Sequence, residues 1–76
     1  MKEVYVLTQI LVSSLTDEKP EVTPQVFEEY VHCIETIKRI LIQSREFEYY
    51  DEDKMLSEMY LKTPTWIFQI DKMEIM

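Results

Sequence analysis

The sequence predicts an α+β fold: a small antiparallel sheet of two to three strands, one long helix packed on it and a second, short helix. Three observations carry this reading. The first segment, EVYVLTQILVSSL, puts β-branched residues at positions 4, 6, 8, 10 and 12, which suits a strand. Around Phe27 to Leu41, apolar residues recur at helical spacing. The last segment, TWIFQIDKMEIM, sets Trp66, Phe68 and Ile70 on one face of a strand. A helix lying across one face of a small sheet is the economical architecture for that order. A three- or four-helix bundle is the alternative.

Seventy-six residues hold one domain, 1–76, and only a modest core, because a chain this short buries roughly 60% of its unfolded surface. Eight Lys and Arg against fifteen Asp and Glu leave a net charge of −7, which repels phosphate and disfavours direct binding of nucleic acid. Lys38, Arg39 and Arg45 are the single basic cluster, too small to reverse that. The chain has no Gly, no Ala and no Asn. Without Gly, the phosphate-cradling loops of nucleotide-binding proteins are absent, and helix ends closed by a left-handed Gly are missing. One His and one Cys fall short of the four ligands of a structural zinc site, so no metal or cofactor is expected. A lone Cys forms no internal disulfide. The longest apolar run, Val4 to Leu7, is far below the ~20 residues of a membrane span, and the first residues lack an export signal. A soluble, cytoplasmic protein is expected.

The elements follow in order. In the strand from Glu3 to Leu15, the face opposite the β-branched one carries Tyr5, Leu7, Leu11 and Leu15, so both faces are apolar. Such a strand is covered on two sides or buried in a dimer; the rival is a helix with Val4, Leu7, Leu11 and Leu15 on one stripe. Thr16 to Pro20 is a turn. The long helix then presents Phe27, Tyr30, Val31, Cys33, Ile34, Ile37, Ile40 and Leu41 on a broad apolar face. Acids lead and bases trail along it, complementing the helix dipole. It starts at a Thr23–Pro24 cap, or Glu21 to Phe27 is a short strand and the helix begins near Glu28. Asp51 or Asp53 caps a shorter helix with Met55, Leu56, Met59 and Tyr60 as its stripe, Lys62 at its end and Pro64 beyond. In the final strand Met73 and Ile75 fall on the face opposite Trp66, which predicts a bulge near Asp71 and Lys72.

No constellation has catalytic spacing. His32 and Cys33 are sequence neighbours on a helix, about 100° apart, and cannot form a dyad. Cys33 reads as a small core residue and His32 as a surface one. The run Asp51-Glu52-Asp53 fails the calcium-loop pattern, since Leu56 stands where Gly is required. The methionines Met55, Met59, Met73 and Met76 fill an irregular core or adapt to a partner.

The segment that stands out is acidic and aromatic together: Glu46, Glu48, Tyr49, Tyr50, Asp51, Glu52 and Asp53, with Phe47 among them. Tyrosine offers amphipathic contact area, and carboxylates select a basic partner. These seven residues are the candidate partner-binding site. The plain alternative is a solvated connection with Phe47 and one tyrosine tucked under the long helix.

The succession VYVLTQILVSSL, then Val26-Phe27-x-x-Tyr30-x-x-Cys33-Ile34-x-x-Ile37-x-Arg39-Ile40-Leu41, then Trp66-Ile67-Phe68-Gln69-Ile70 resembles the short hairpin–helix–strand accessory proteins encoded by bacteriophages and other mobile elements. The likeness spans most of the chain and is one of pattern and size. It implies a non-enzymatic modulator of host or phage machinery, such as an inhibitor of a bacterial defence system. The expectation is therefore an acidic protein-binding module, an inhibitor or adaptor docking on a basic, nucleic-acid-binding surface of a larger protein. The alternative is a homo-oligomeric structural or assembly protein; the two readings can coexist, and a homodimer is expected.

Overall fold

A computed structural model describes residues 2–12 and 21–75. Strand β1 (Lys2–Leu11) is followed by β2 (Val22–Phe27), helix α1 (Tyr30–Gln43), a short 3₁₀ turn (Phe47–Tyr49), helix α2 (Glu52–Glu58), β3 (Tyr60–Lys62) and β4 (Trp66–Ile75). The fold is α+β, with one antiparallel sheet in the order β2-β1-β4-β3. The expected two to three strands become four, and the all-helical alternative is not supported. The Thr16–Pro20 turn lies outside the described residues.

Of the two starts weighed for the long helix, the later one holds. Val22 to Phe27 pairs with β1, Tyr5 opposite Phe27, so Phe27 belongs to the sheet and α1 begins at Tyr30. The dipole expectation is corrected as well. No acid lies in the first turn of α1 and no base in its last. Packing of its apolar face, rather than end charges, holds it in place.

Two further expectations fail at the C-terminal end. Tyr60 to Lys62 is not the tail of α2 but an edge strand. Helix α2 ends at Met59, whose φ of 52° turns the chain back, and Leu61 is then set opposite Phe68. Three residues are too few to show alternation, so their sequence alone cannot mark a strand. Pro64 consequently sits in the hairpin turn after β3, where Thr63 N–H donates to Trp66 O at 2.7 Å. No bulge interrupts β4 near Asp71 and Lys72: its register with β1 is continuous from Trp66 opposite Leu11 to Ile75 opposite Lys2. The change of apolar phase in β4 has another cause. Its first half faces the helix and its second half adds apolar residues to the other face.

Directly opposed residues in an antiparallel pair share a face. One face therefore carries Tyr5, Leu7, Gln9 and Leu11 with Phe27, Trp66, Phe68, Ile70 and Leu61. Helix α1 covers it. Leu7, Leu61, Phe68 and Ile70 form a single core with Cys33, Ile34, Ile37 and Leu41 of α1 and Met55 of α2. Tyr5 meets Tyr30 edge-on, ring centroids 5.8 Å apart. The opposite face carries Val4, Val6, Thr8, Ile10, Val22, Pro24, Val26, Tyr60, Ile67, Met73 and Ile75, and no described helix lies on it. The shortest dimension of the molecule is 20 Å, room for two layers only.

Candidate functional site

Residues 44–53 leave the end of α1 by a closed turn. Ser44 N–H donates to Ile40 O, Arg45 N–H to Ile42 O at 3.2 Å, and Glu46 N–H to Leu41 O at 2.8 Å. This is the paired 6→1 and 5→2 closure that usually needs Gly at its left-handed position. In a chain without Gly, Arg45 takes φ = 58° there. The sequence showed only that Gly was unavailable; the left-handed closure forms regardless.

The structure separates the seven candidate residues into two groups. Glu46 is turned inward and only 8% exposed. Its Oε1 accepts Thr65 N–H at 3.1 Å, in the turn where Thr63 Oγ1 also accepts Trp66 N–H at 2.8 Å. Burial pushes the Glu46 carboxyl up, but hydrogen bonds from the Thr65 and Thr63 hydroxyls and from Thr65 N–H outweigh it and hold it below the ordinary value. Nearby, Trp66 Nε1 donates to Ser44 Oγ at 3.0 Å. Glu46 thus fastens the β3–β4 turn to the end of α1 and has no carboxylate to offer a partner. Tyr50 is also drawn in. It is half-buried, stacks on Phe47 at 5.7 Å and lies under Lys38 Nζ at 5.2 Å. Its Oη is buried without a hydrogen-bond partner among the described residues, and burial, then the charge of Glu52, raises its pKa.

The other five candidates are exposed: Glu48, Tyr49, Asp51, Glu52 and Asp53. Asp51 has a structural duty too, because its Oδ1 accepts Lys54 N–H at 3.1 Å and caps α2. Beside them stand two apolar side chains, Phe47 at 45% and Leu56 at 63% exposure. Leu56 was expected on the buried stripe of α2; only Met55 of this helix is buried, since seven residues turn one side to the core. Tyr30 Oη donates to Met55 O at 3.0 Å and ties α2 to α1. The result is an edge on which Phe47, Tyr49 and Leu56 emerge among four exposed carboxylates.

The remaining chemistry is sparse. Cys33 is fully buried in the core and burial raises its thiol pKa, whereas His32 is exposed, with Nε2 3.8 Å from Glu29 Oε2. The two do not meet. A shallow groove of about 390 Å³ between β2 and α1 is lined by Phe27, His32, Glu35, Thr36 and Arg39. The Thr36 hydroxyl there is spent on His32 O at 2.9 Å. Among the described residues, no three His, Cys, Asp or Glu side chains converge as a metal site, and no helix is long and apolar enough to cross a membrane.

Comparison with known proteins finds no match: no family model, no curated protein and no solved structure aligns with the chain.

Proposed function

We propose that this protein works by docking: a small non-enzymatic module whose acidic, aromatic edge binds a basic surface of a larger protein, as an inhibitor or adaptor. The observation that supports this reading is the exposure of Phe47, Tyr49 and Leu56 among Glu48, Asp51, Glu52 and Asp53. Apolar side chains rimmed by like charge give contact area at the centre and selection at the border. The resemblance to phage-encoded accessory proteins adds a direction, since nucleic-acid-binding proteins of a host defence system carry basic surfaces of the kind required.

The test begins with immobilised protein, a bacterial lysate and identification of what is retained. Association of the purified partner is then measured at low and high salt. Charges exposed on both sides are screened over roughly 10 Å at 0.1 M salt, so salt should slow association more than it speeds dissociation. The variant to compare is Glu48→Lys/Glu52→Lys/Asp53→Lys, which spares the cap Asp51. It should bind at least about 10-fold more weakly while still folding cooperatively, at a small cost in melting temperature because Glu52 and Asp53 lie in the first turn of α2. Equal affinity of the variant, with no salt dependence, would reduce this edge to a solvated connection.

A further inference from the structure

Among the described residues nothing covers the reverse face of the sheet, and that face is largely apolar. Val22, Val26, Met73 and Ile75 are each between 46% and 65% exposed, and Val6, Ile10, Ile67 and Tyr60 are half-buried beside them. Val4, opposite Met73, is 5% exposed, and Lys2 Nζ lies 2.6 Å from Glu28 Oε1. We propose that this face is the contact between two copies of the chain, joined sheet to sheet about a two-fold axis that crosses the strands at the row Pro24, Thr8, Gln69 and Tyr60.

The sheet edges are poor alternatives. Leu11 N–H donates to Glu21 O, so the odd-numbered residues of β1 bond to β2 and the backbone of Val22, Pro24 and Val26 points outward. Pro24 has no N–H and breaks that outer row. At the other side β3 is three residues long, and beyond it β4 presents the backbone of Lys72 and Glu74. A Pro-interrupted edge, a very short strand and charged residues all discourage strand addition.

Charge and area both favour a second copy on the face. The chain carries −7, yet among the described residues the charges on or beside this face are Lys2, Lys62, Asp71 and Glu28, which cancel. Two copies can therefore meet here without the repulsion their net charge imposes elsewhere. At ~3.3 Å rise and ~4.8 Å spacing the strands give about 450 Å² of sheet plane per copy. Corrugated by side chains, the two faces together reach about 1,000 Å², the lower bound for a specific interface.

The axis follows from which rows match. A two-fold across the strands at Thr8 lays Val6 and Val26 on the partner's Ile10 and Val22, apolar on apolar. It also lays Asp71 over the partner's Ile67, one strand (~4.8 Å) from the partner's Lys62. Asp71 and Lys62 form no ion pair within the chain among the described residues, and the axis would pair them twice. A two-fold along the strands, between β1 and β4, would instead set Asp71 over the partner's Val6, far from the partner's Lys62 and with no countercharge beside it.

Sedimentation of the purified protein alone, from about 1 μM to 1 mM, tests this without reference to the acidic edge. A monomer–dimer equilibrium is expected, with a dissociation constant on the order of 10 μM for so small an interface. Val26→Asp, at a position already two-thirds exposed, should keep the circular dichroism of the monomer and weaken the dimer at least about 100-fold. Asp71→Lys and Lys62→Glu should each weaken it about 10-fold, and together restore it to within about threefold. A chain that stays monomeric to 1 mM, a dimer that survives Val26→Asp, or charge changes that add instead of cancelling would each overturn the proposal.

Discussion

The two faces of the sheet share the same strands and are nearly equal in apolar content, yet they have opposite fates. Beneath α1, Leu7, Phe68 and Ile70 are buried against Cys33, Ile37 and Leu41. On the reverse, Val26 and Met73 remain open to solvent. Hydrophobicity is thus not what separates core from surface here; the supply of covering elements is. One long helix and one seven-residue helix can cover one face of four strands, and nothing among the described residues is left for the other. An apolar face without a helix is a request for a partner, whereas a scattered exposed Val is not.

The sharpest way to break this comparison is to place the same charge on each face. Ile37→Asp puts a carboxylate into the fully buried core and should abolish cooperative folding, a loss of at least about 4 kcal/mol. Val26→Asp on the open face should change the stability of the monomer by no more than about 1 kcal/mol, the span of strand propensity. Urea titrations followed by circular dichroism at low concentration compare the two, and similar losses would mean the open face is not open.

A smaller effect tests what locks the covered side. Glu46 has a folded pKa below its ordinary value, so its contribution is present above the ordinary carboxylate range and disappears as pH falls through the folded value. Glu46→Gln should therefore be about 1 kcal/mol less stable at pH 7, and the gap should shrink steadily as pH is lowered below the ordinary carboxylate range. A gap that stays equal as pH falls would assign the effect to shape rather than charge.

The smallest change concerns the turn that leads from α1 to the acidic edge. Arg45→Gly relieves a left-handed residue and should raise the melting temperature, by about 0.5–1 kcal/mol in stability. If the variant melts lower, the Arg45 side chain contributes more than its backbone costs.

Much of this was legible in advance. The alternation of Val4 to Val12, the apolar stripe from Phe27 to Leu41, whose first residue belongs to β2, and the Trp66-Phe68-Ile70 alternation each announced their element, because each is long enough for its period to repeat. The candidate edge was legible as a composition, acids interleaved with aromatics. Its composition could not show which members are available: Glu46 and Tyr50 carry the same side chains as Glu48 and Tyr49 but turn inward. What selects them is the closure at Arg45, which aims Glu46 at a turn nineteen residues away.

Periodicity, residue inventory and net charge are properties of the chain alone, and from them came the α+β class, the three long elements and the lack of Gly-built loops. Packing set the rest. It made Tyr60 to Lys62 a strand, because a three-residue segment takes its conformation from the β4 ladder beside it and not from its own propensity. It kept β4 regular where an apolar phase change had predicted a bulge, because the ladder with β1 runs unbroken from Trp66 to Ile75 whichever face carries the apolar residues. Which of two apolar faces is covered is likewise not written in either strand: it depends on where α1 lands.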